Sequence, residues 1–146
     1  MSSAGPRRLT GMSNITQAPT TITNLGVAMF TVADQDAALA FYTDKLGYEV
    51  RGDLRFGENG ENRWLEVAPP GSTARLALNP PMNGSPGGGS IGVETPDVLG
   101  EYARLKAVGG IDLDAEPMRI EGAPLMFSLR DADGNSIWVS EAPPTA

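Results

Sequence analysis

Few side chains in this 146-residue chain can do chemistry: 18 Asp and Glu, three Tyr, two lysines, hydroxyls, and neither His nor Cys. Without His there is no Ser–His or Cys–His nucleophile pair and no imidazole ligand for a metal. Chemistry would fall to carboxylates, with Glu66 and Glu94 as the catalytic candidates; a general base there needs burial to raise its pKa. The lysines, Lys45 and Lys106, fall near the ends of two predicted helices, where they complement the helix dipole. Asp131-x-Asp133-Gly134 hints at a calcium loop, but that pattern needs Gly at its sixth position and Glu at its twelfth. Here Gly is fourth and Glu141 eleventh, so the stretch reads as a structural turn.

The segment after that turn is Ser-Ile-Trp-Val-Ser. A period of two places Ser136, Trp138 and Ser140 on one face, with Ile137 and Val139 toward a core. A lone Trp between serines either contacts a ligand or fills space.

Several elements must position these residues. Residues 22–33 read as a strand, and Asp34 caps a helix with Leu39, Tyr42 and Leu46 on one stripe. Gly47 stops that helix, Tyr48-Glu49-Val50 opens a strand, and Asn59-Gly60 is a hairpin signal before a strand at 62–68. Pro69-Pro70-Gly71 turns into a fourth strand at 74–78. Residues 79–90, rich in Gly and Pro, read as a linker without the Lys-Ser/Thr of a phosphate loop. The pattern then restarts: a strand at 90–95, a helix capped by Asp97 carrying Val98, Tyr102 and Leu105, and strands near 111–114, 118–120, 125–130 and 136–140.

The halves superpose at an offset of 63 residues, Asp34 on Asp97. Each half exposes a sheet face that must be buried elsewhere. The fold class expected is α+β: two βαβββ modules forming a cupped mixed sheet, helices outside and a hollow within. The organisation expected is a disordered tail at 1–21, a first module at 22–79, a linker at 80–89, a second module at 90–141 and a tail at 142–146.

VAMFTVADQDAALAFYTDKLGYEV (27–50), IGVETPD…YARLKAVGG (91–110) and FSLRDADGN (127–135) together resemble the vicinal oxygen chelate superfamily. This group includes glyoxalase I, extradiol dioxygenases, and fosfomycin- and bleomycin-resistance proteins. The resemblance covers residues 22–141 and implies paired βαβββ modules, a U-shaped sheet and a homodimer; the modules of a cup come from one chain in some members and from two in others. It implies four ligand positions in the metalloenzymes, which fall here on Val27, Ala77, Ser90 and Trp138. Val and Ala have no lone pair, a serine hydroxyl is a poor ligand, and an indole N–H only donates. No metal and no other cofactor is therefore expected.

The same alternation puts Met29 and Thr31 beside Val27, Arg75 and Asn79 beside Ala77, and Glu94 beyond Ser90. The expected ligand-contacting set is Val27, Met29, Thr31, Arg75, Ala77, Ser90, Glu94 and Trp138. Arg75 and Glu94 could equally form an ion pair at the rim. Trp64 and Glu66 share a face, inward or outward.

Composition narrows the partners. A net charge of −7 opposes nucleic acid, which requires a basic surface, and favours a cationic small molecule, while the Trp138 ring suits an aromatic one. No apolar run reaches the ~20 residues of a membrane span, and MSSAGPRRLTGMSNITQAPTT lacks the apolar core of a secretory signal. Met12 is an alternative start. With no Cys, a cytoplasmic location is expected. The preferred reading is a small-molecule binder that sequesters or senses its ligand without a metal. The competing reading is an enzyme of the same group (lyase, isomerase or dioxygenase type) using cup carboxylates or an unusual metal site.

Overall fold

A computed structural model describes residues 18–143; the ends of both expected tails, residues 1–17 and 144–146, lie outside the described residues. The elements run β1 (Val27–Thr31), α1 (Gln35–Ala40) continuing into a π-turn (Phe41–Lys45), β2 (Glu49–Phe56), β3 (Asn62–Ala68) and β4 (Arg75–Asn79). The second set is β5 (Ser90–Thr95), α2 (Val98–Val108), β6 (Asp112–Leu113), β7 (Met126–Arg130) and β8 (Ser136–Glu141). Both helices begin at the Asp residues the sequence marks. Asp34 accepts from the Ala37 N–H and Asp97 from the Gly100 N–H, each satisfying a donor that the first helical turn leaves open.

Two four-stranded sheets result, ordered β1-β4-β3-β2 and β5-β8-β7-β6. In each, the first strand runs parallel to the last and the remaining pairs are antiparallel. Registers repeat as well: Met29 pairs with Ala77 on β4, and Gly92 with Trp138 on β8. Ala77 and Trp138 thus occupy equivalent places in the two modules.

One face of each sheet carries its helix. Phe30, Leu65, Val67, Leu76 and Leu78 of the first sheet join Phe127, Leu129, Ile137 and Val139 of the second, with Tyr42, Leu46 and Leu105 from the helical segments, in a single core. The opposite face of each sheet is open.

Three strand expectations are corrected. Residues 22–33 contribute a strand only from Val27 to Thr31, because the neighbouring strand starts at Arg75 and offers Gly26 a single bond, Arg75 N–H to Gly26 C=O at 3.0 Å. Residues 18–25 are exposed. The strand expected at 118–120 reduces to one bridge, Met118 with Met126. Pro117 has no N–H to pair, and Gly122 at φ 84° bends the chain away. The strand expected at 111–114 keeps only its two central residues.

The Asp131–Asn135 turn joins the modules. Asp131 accepts from the Tyr42 hydroxyl (2.9 Å) and from the N–H groups of Asp133 (3.0 Å) and Asn135 (2.9 Å). Asn135 Nδ2 donates to the Thr31 carbonyl at 3.0 Å, and its Oδ1 accepts from Gly89 N–H at 2.9 Å. The turn therefore holds the end of β1 and the start of β5 together. Lys45 adds a second tie, donating from Nζ to the Gly109 carbonyl at 2.9 Å.

Candidate functional site

Strand alternation and register decide which side chains share the open faces. On the first sheet, Leu65 and Val67 point to the core, so Trp64 and Glu66 of β3 point to the open side. Glu66 lies opposite Ala77, which puts it on the face of Val27, Met29 and Arg75. On the second sheet, Ile137 and Val139 are buried and Trp138 is 37% exposed on the other side. Ser90, Glu94, Ser128 and Arg130 share that open face through their pairing with β8 or their alternation along a strand. Both tryptophans of the chain thus stand on open faces, one per module.

Polar contacts organise each face. On the first, Trp64 Nε1 donates to Glu66 Oε2 at 2.8 Å, and Arg75 Nε stands 2.9 Å from Glu66 Oε1. Glu66 thus has both oxygens engaged, a poor arrangement for taking a proton from a substrate. On the second, Asp114 accepts from Ser128 N–H at 2.7 Å and from Arg130 Nη1 at 2.9 Å, while Arg130 Nη2 donates to Asp112. Burial pushes the Asp114 carboxyl up, but the bonds from Arg130 and Ser128 more than offset it and hold it below the usual range. Asp112 is lowered chiefly by its bond from Arg130.

A cleft lies between the modules. Its larger part, about 640 Å³, is lined by Pro70, Ser72, Arg75, Val93, Glu94 and Ser140 among others. A narrower part of about 330 Å³ runs on past Tyr48 toward Leu105 and Ile137. Burial, followed by the nearby Glu101 carboxylate, pushes the Tyr48 phenol up to about 12, with Arg104 opposing.

The structure therefore sorts the sequence-derived candidates. Arg75 and Glu94 both line the larger cleft. Val27, Met29, Ser90 and Trp138 line neither part of it and stand on the open faces, whereas Ala77, expected to contact ligand, shares the first of these faces but is fully buried beneath its neighbours. Thr31 is tied into the module junction, its hydroxyl and carbonyl both accepting from Gly87 N–H. Glu66 pairs with Arg75, and no ion pair joins Arg75 to Glu94. Two features lie outside the sequence-derived set. The Asp114–Ser128–Arg130 cluster was marked only by the alternation of Asp112 with Asp114 and of Ser128 with Arg130. The Pro69-Pro70 wall of the cleft read only as a turn.

The four positions that would hold a metal by resemblance, Val27, Ala77, Ser90 and Trp138, offer one weak donor, and those residues do not fit a divalent cation. Among the described residues, no group of three or more Asp and Glu is disposed to hold one either.

Comparison with known proteins agrees with this architecture. Residues 24–139 match the family model described as the Glyoxalase/Bleomycin resistance protein/Dioxygenase superfamily. Protein YetH of Bacillus subtilis (strain 168) is 34% identical over 123 residues, covering 82% of this chain and 99% of that protein. A superfamily member from Sphaerobacter thermophilus DSM 20745 superposes with a TM-score of 0.75 at 29% identity, covering 84% of this chain and 100% of its own. TnmS3, an antibiotic binding protein from Streptomyces sp. CB03234, gives a TM-score of 0.74 at 28% identity, covering 86% of this chain and 100% of its own.

Proposed function

Because the chain belongs to the glyoxalase/bleomycin resistance protein/dioxygenase superfamily, we propose that it binds a flat, aromatic or cationic small molecule on its open sheet faces, without a metal, to sequester or sense it. The observation that carries this reading is the placement of Trp64 and Trp138, one on each open face, where a ring can stack on a planar ligand or attract a cation. The donor-poor set at Val27, Ala77, Ser90 and Trp138 supports metal independence. The antibiotic-binding neighbour supports small-molecule binding as the role of this scaffold. Glu66, held by both Trp64 and Arg75, favours a binding face over the competing catalytic reading.

A homodimer belongs to the same proposal. Strands β1 and β5 each pair on one side only, and the first sheet exposes Met29 (65%) on β1 at one edge and Leu54 and Phe56 on β2 at the other. A second copy would cover such a surface. A cytoplasmic location completes the reading; no helix among the described residues is long and apolar enough to cross a membrane.

Native mass spectrometry of the full chain with the planar cationic dye proflavine tests the proposal. The expected result is a metal-free dimer that takes up dye, with Trp138→Ala weakening uptake by about tenfold and Trp138→Phe by less. A stoichiometric metal ion in the purified protein, or dye uptake indifferent to Trp138→Ala, would overturn it.

A further inference from the structure

Every arginine held in a hydrogen-bond network among the described residues spends its terminal nitrogens there. Arg51 donates from Nη1 and Nη2 to the carbonyls of Ser72 and Pro69, at 2.7 and 2.9 Å. Arg63 reaches Asp36 and Asp53, and Arg130 reaches Asp112 and Asp114. Arg104 donates to Glu101 and to the Leu46 carbonyl. Arg55 and Arg119 make no such bonds, and both are exposed.

Arg75 differs from both groups. Its side chain is 41% exposed, yet its Nε is buried against Glu66 and aimed too poorly at Oε1 for a hydrogen bond. That Nε is the one buried side-chain nitrogen or oxygen among the described residues with no hydrogen-bond partner. Its two terminal nitrogens bond to no described residue, and the side chain lines the larger cleft with Ser72, Glu94 and Ser140. Glu66 in turn is only 14% exposed and is pinned by Trp64 Nε1 at 2.8 Å. Trp64 thus orients Glu66, and Glu66 neutralises Arg75 from the Nε side. The Nη1–Nη2 fork is left over, and this is the edge that matches a carboxylate with two parallel bonds.

Around the fork the wall is apolar: Pro69, Pro70, Leu76, Ile91 and Val93 line the same cleft. Glu94 is the other charged liner and forms no ion pair with Arg75, so the cleft's two charges stay separate. We infer that Arg75 reads an acidic group, a carboxylate or a phenolate, on the planar ligand, with Trp64 and Glu66 as positioning residues that keep its fork open. This rests on the binding reading and adds to it the polarity of one end of the ligand. It also alters the weight of the overall charge: a net charge of −7 steers cations toward the molecule at long range, whereas the fork is a local donor in a partly desolvated wall.

The test uses three matched planar probes, phenazine-1-carboxylate, its primary alcohol and its aminomethyl analogue, titrated calorimetrically into the full chain. The carboxylate is expected to bind at least about tenfold tighter than the alcohol, because a charge-assisted pair exceeds a neutral contact. Arg75→Gln should bring the carboxylate-to-alcohol affinity ratio to about one, and Arg75→Lys, which keeps charge but loses the fork, should retain only part of the preference. Trp64→Phe, which keeps an aromatic ring but frees Glu66, should shrink the ratio of carboxylate to alcohol affinity. Alcohol binding with no carboxylate preference, or a preference that survives Arg75→Gln, would overturn the inference and leave the binding reading standing. No binding of any probe would overturn both.

Discussion

At Trp138 the sequence states a residue type and a face, and the fold supplies the meaning. Period two predicts that Trp138 opposes Ile137 and Val139, and burial divides them that way. The same rule left Trp64 and Glu66 on one face of unknown direction, since alternation cannot say which side receives a helix. Tyr48 carries a consequence legible only in three dimensions. Its phenol is raised to about 12, above the ordinary value of 10.0, so folding favours the neutral form. Stability from this group is fully present below the ordinary value and is lost as pH rises through the folded one. Urea midpoints should therefore fall between about pH 10 and 12, absorbance at 295 nm should report ionisation with the loss, and Tyr48→Phe should blunt the fall. A midpoint as steep in Tyr48→Phe as in the parent would refute the assignment.

At the scale of elements, caps and turns were plain to read. Asp34 and Asp97 announce helix starts because a short acceptor before an apolar stripe satisfies open N–H groups. The π-turn that completes the first helix has no comparable signature; it lets Leu46 N–H reach the Phe41 carbonyl at 3.2 Å. Composition likewise marked a Gly/Pro-rich linker at 80–89, and packing places its end tightly. Gly87 has φ 95°, and a Cβ there would collide with the Asp133 carbonyl oxygen. Gly87→Ala should cost about 2–4 kcal/mol in urea unfolding, since it combines a forbidden backbone angle with a steric clash. Gly88→Ala, also at positive φ but facing open space, should cost only about 1 kcal/mol. Equal losses at both positions would mean that Gly87 is not held against the Asp133 carbonyl.

For the molecule as a whole, the junction between modules is the feature most dependent on tertiary structure. Asn135 is fully buried and links Thr31, Gly89 and Asp131. Removing its amide with Asn135→Ala should cost about 2–4 kcal/mol, because several buried partners lose their bonds at once. Hydrogen exchange should quicken first at the Gly89 amide, with Leu65 in the first sheet still protected; uniform quickening would argue against a local junction. The sequence by itself determined the two-module plan, the helix caps and the alternating faces, because each depends on residue type and short-range spacing. Only the tertiary structure decided that Glu66 belongs to Arg75 rather than Glu94 to Arg75, that Trp64 faces the open side, and that the Asp131–Asn135 turn fastens to Thr31. Those outcomes depend on which strands become neighbours and which sheet face receives a helix, and long-range packing sets both.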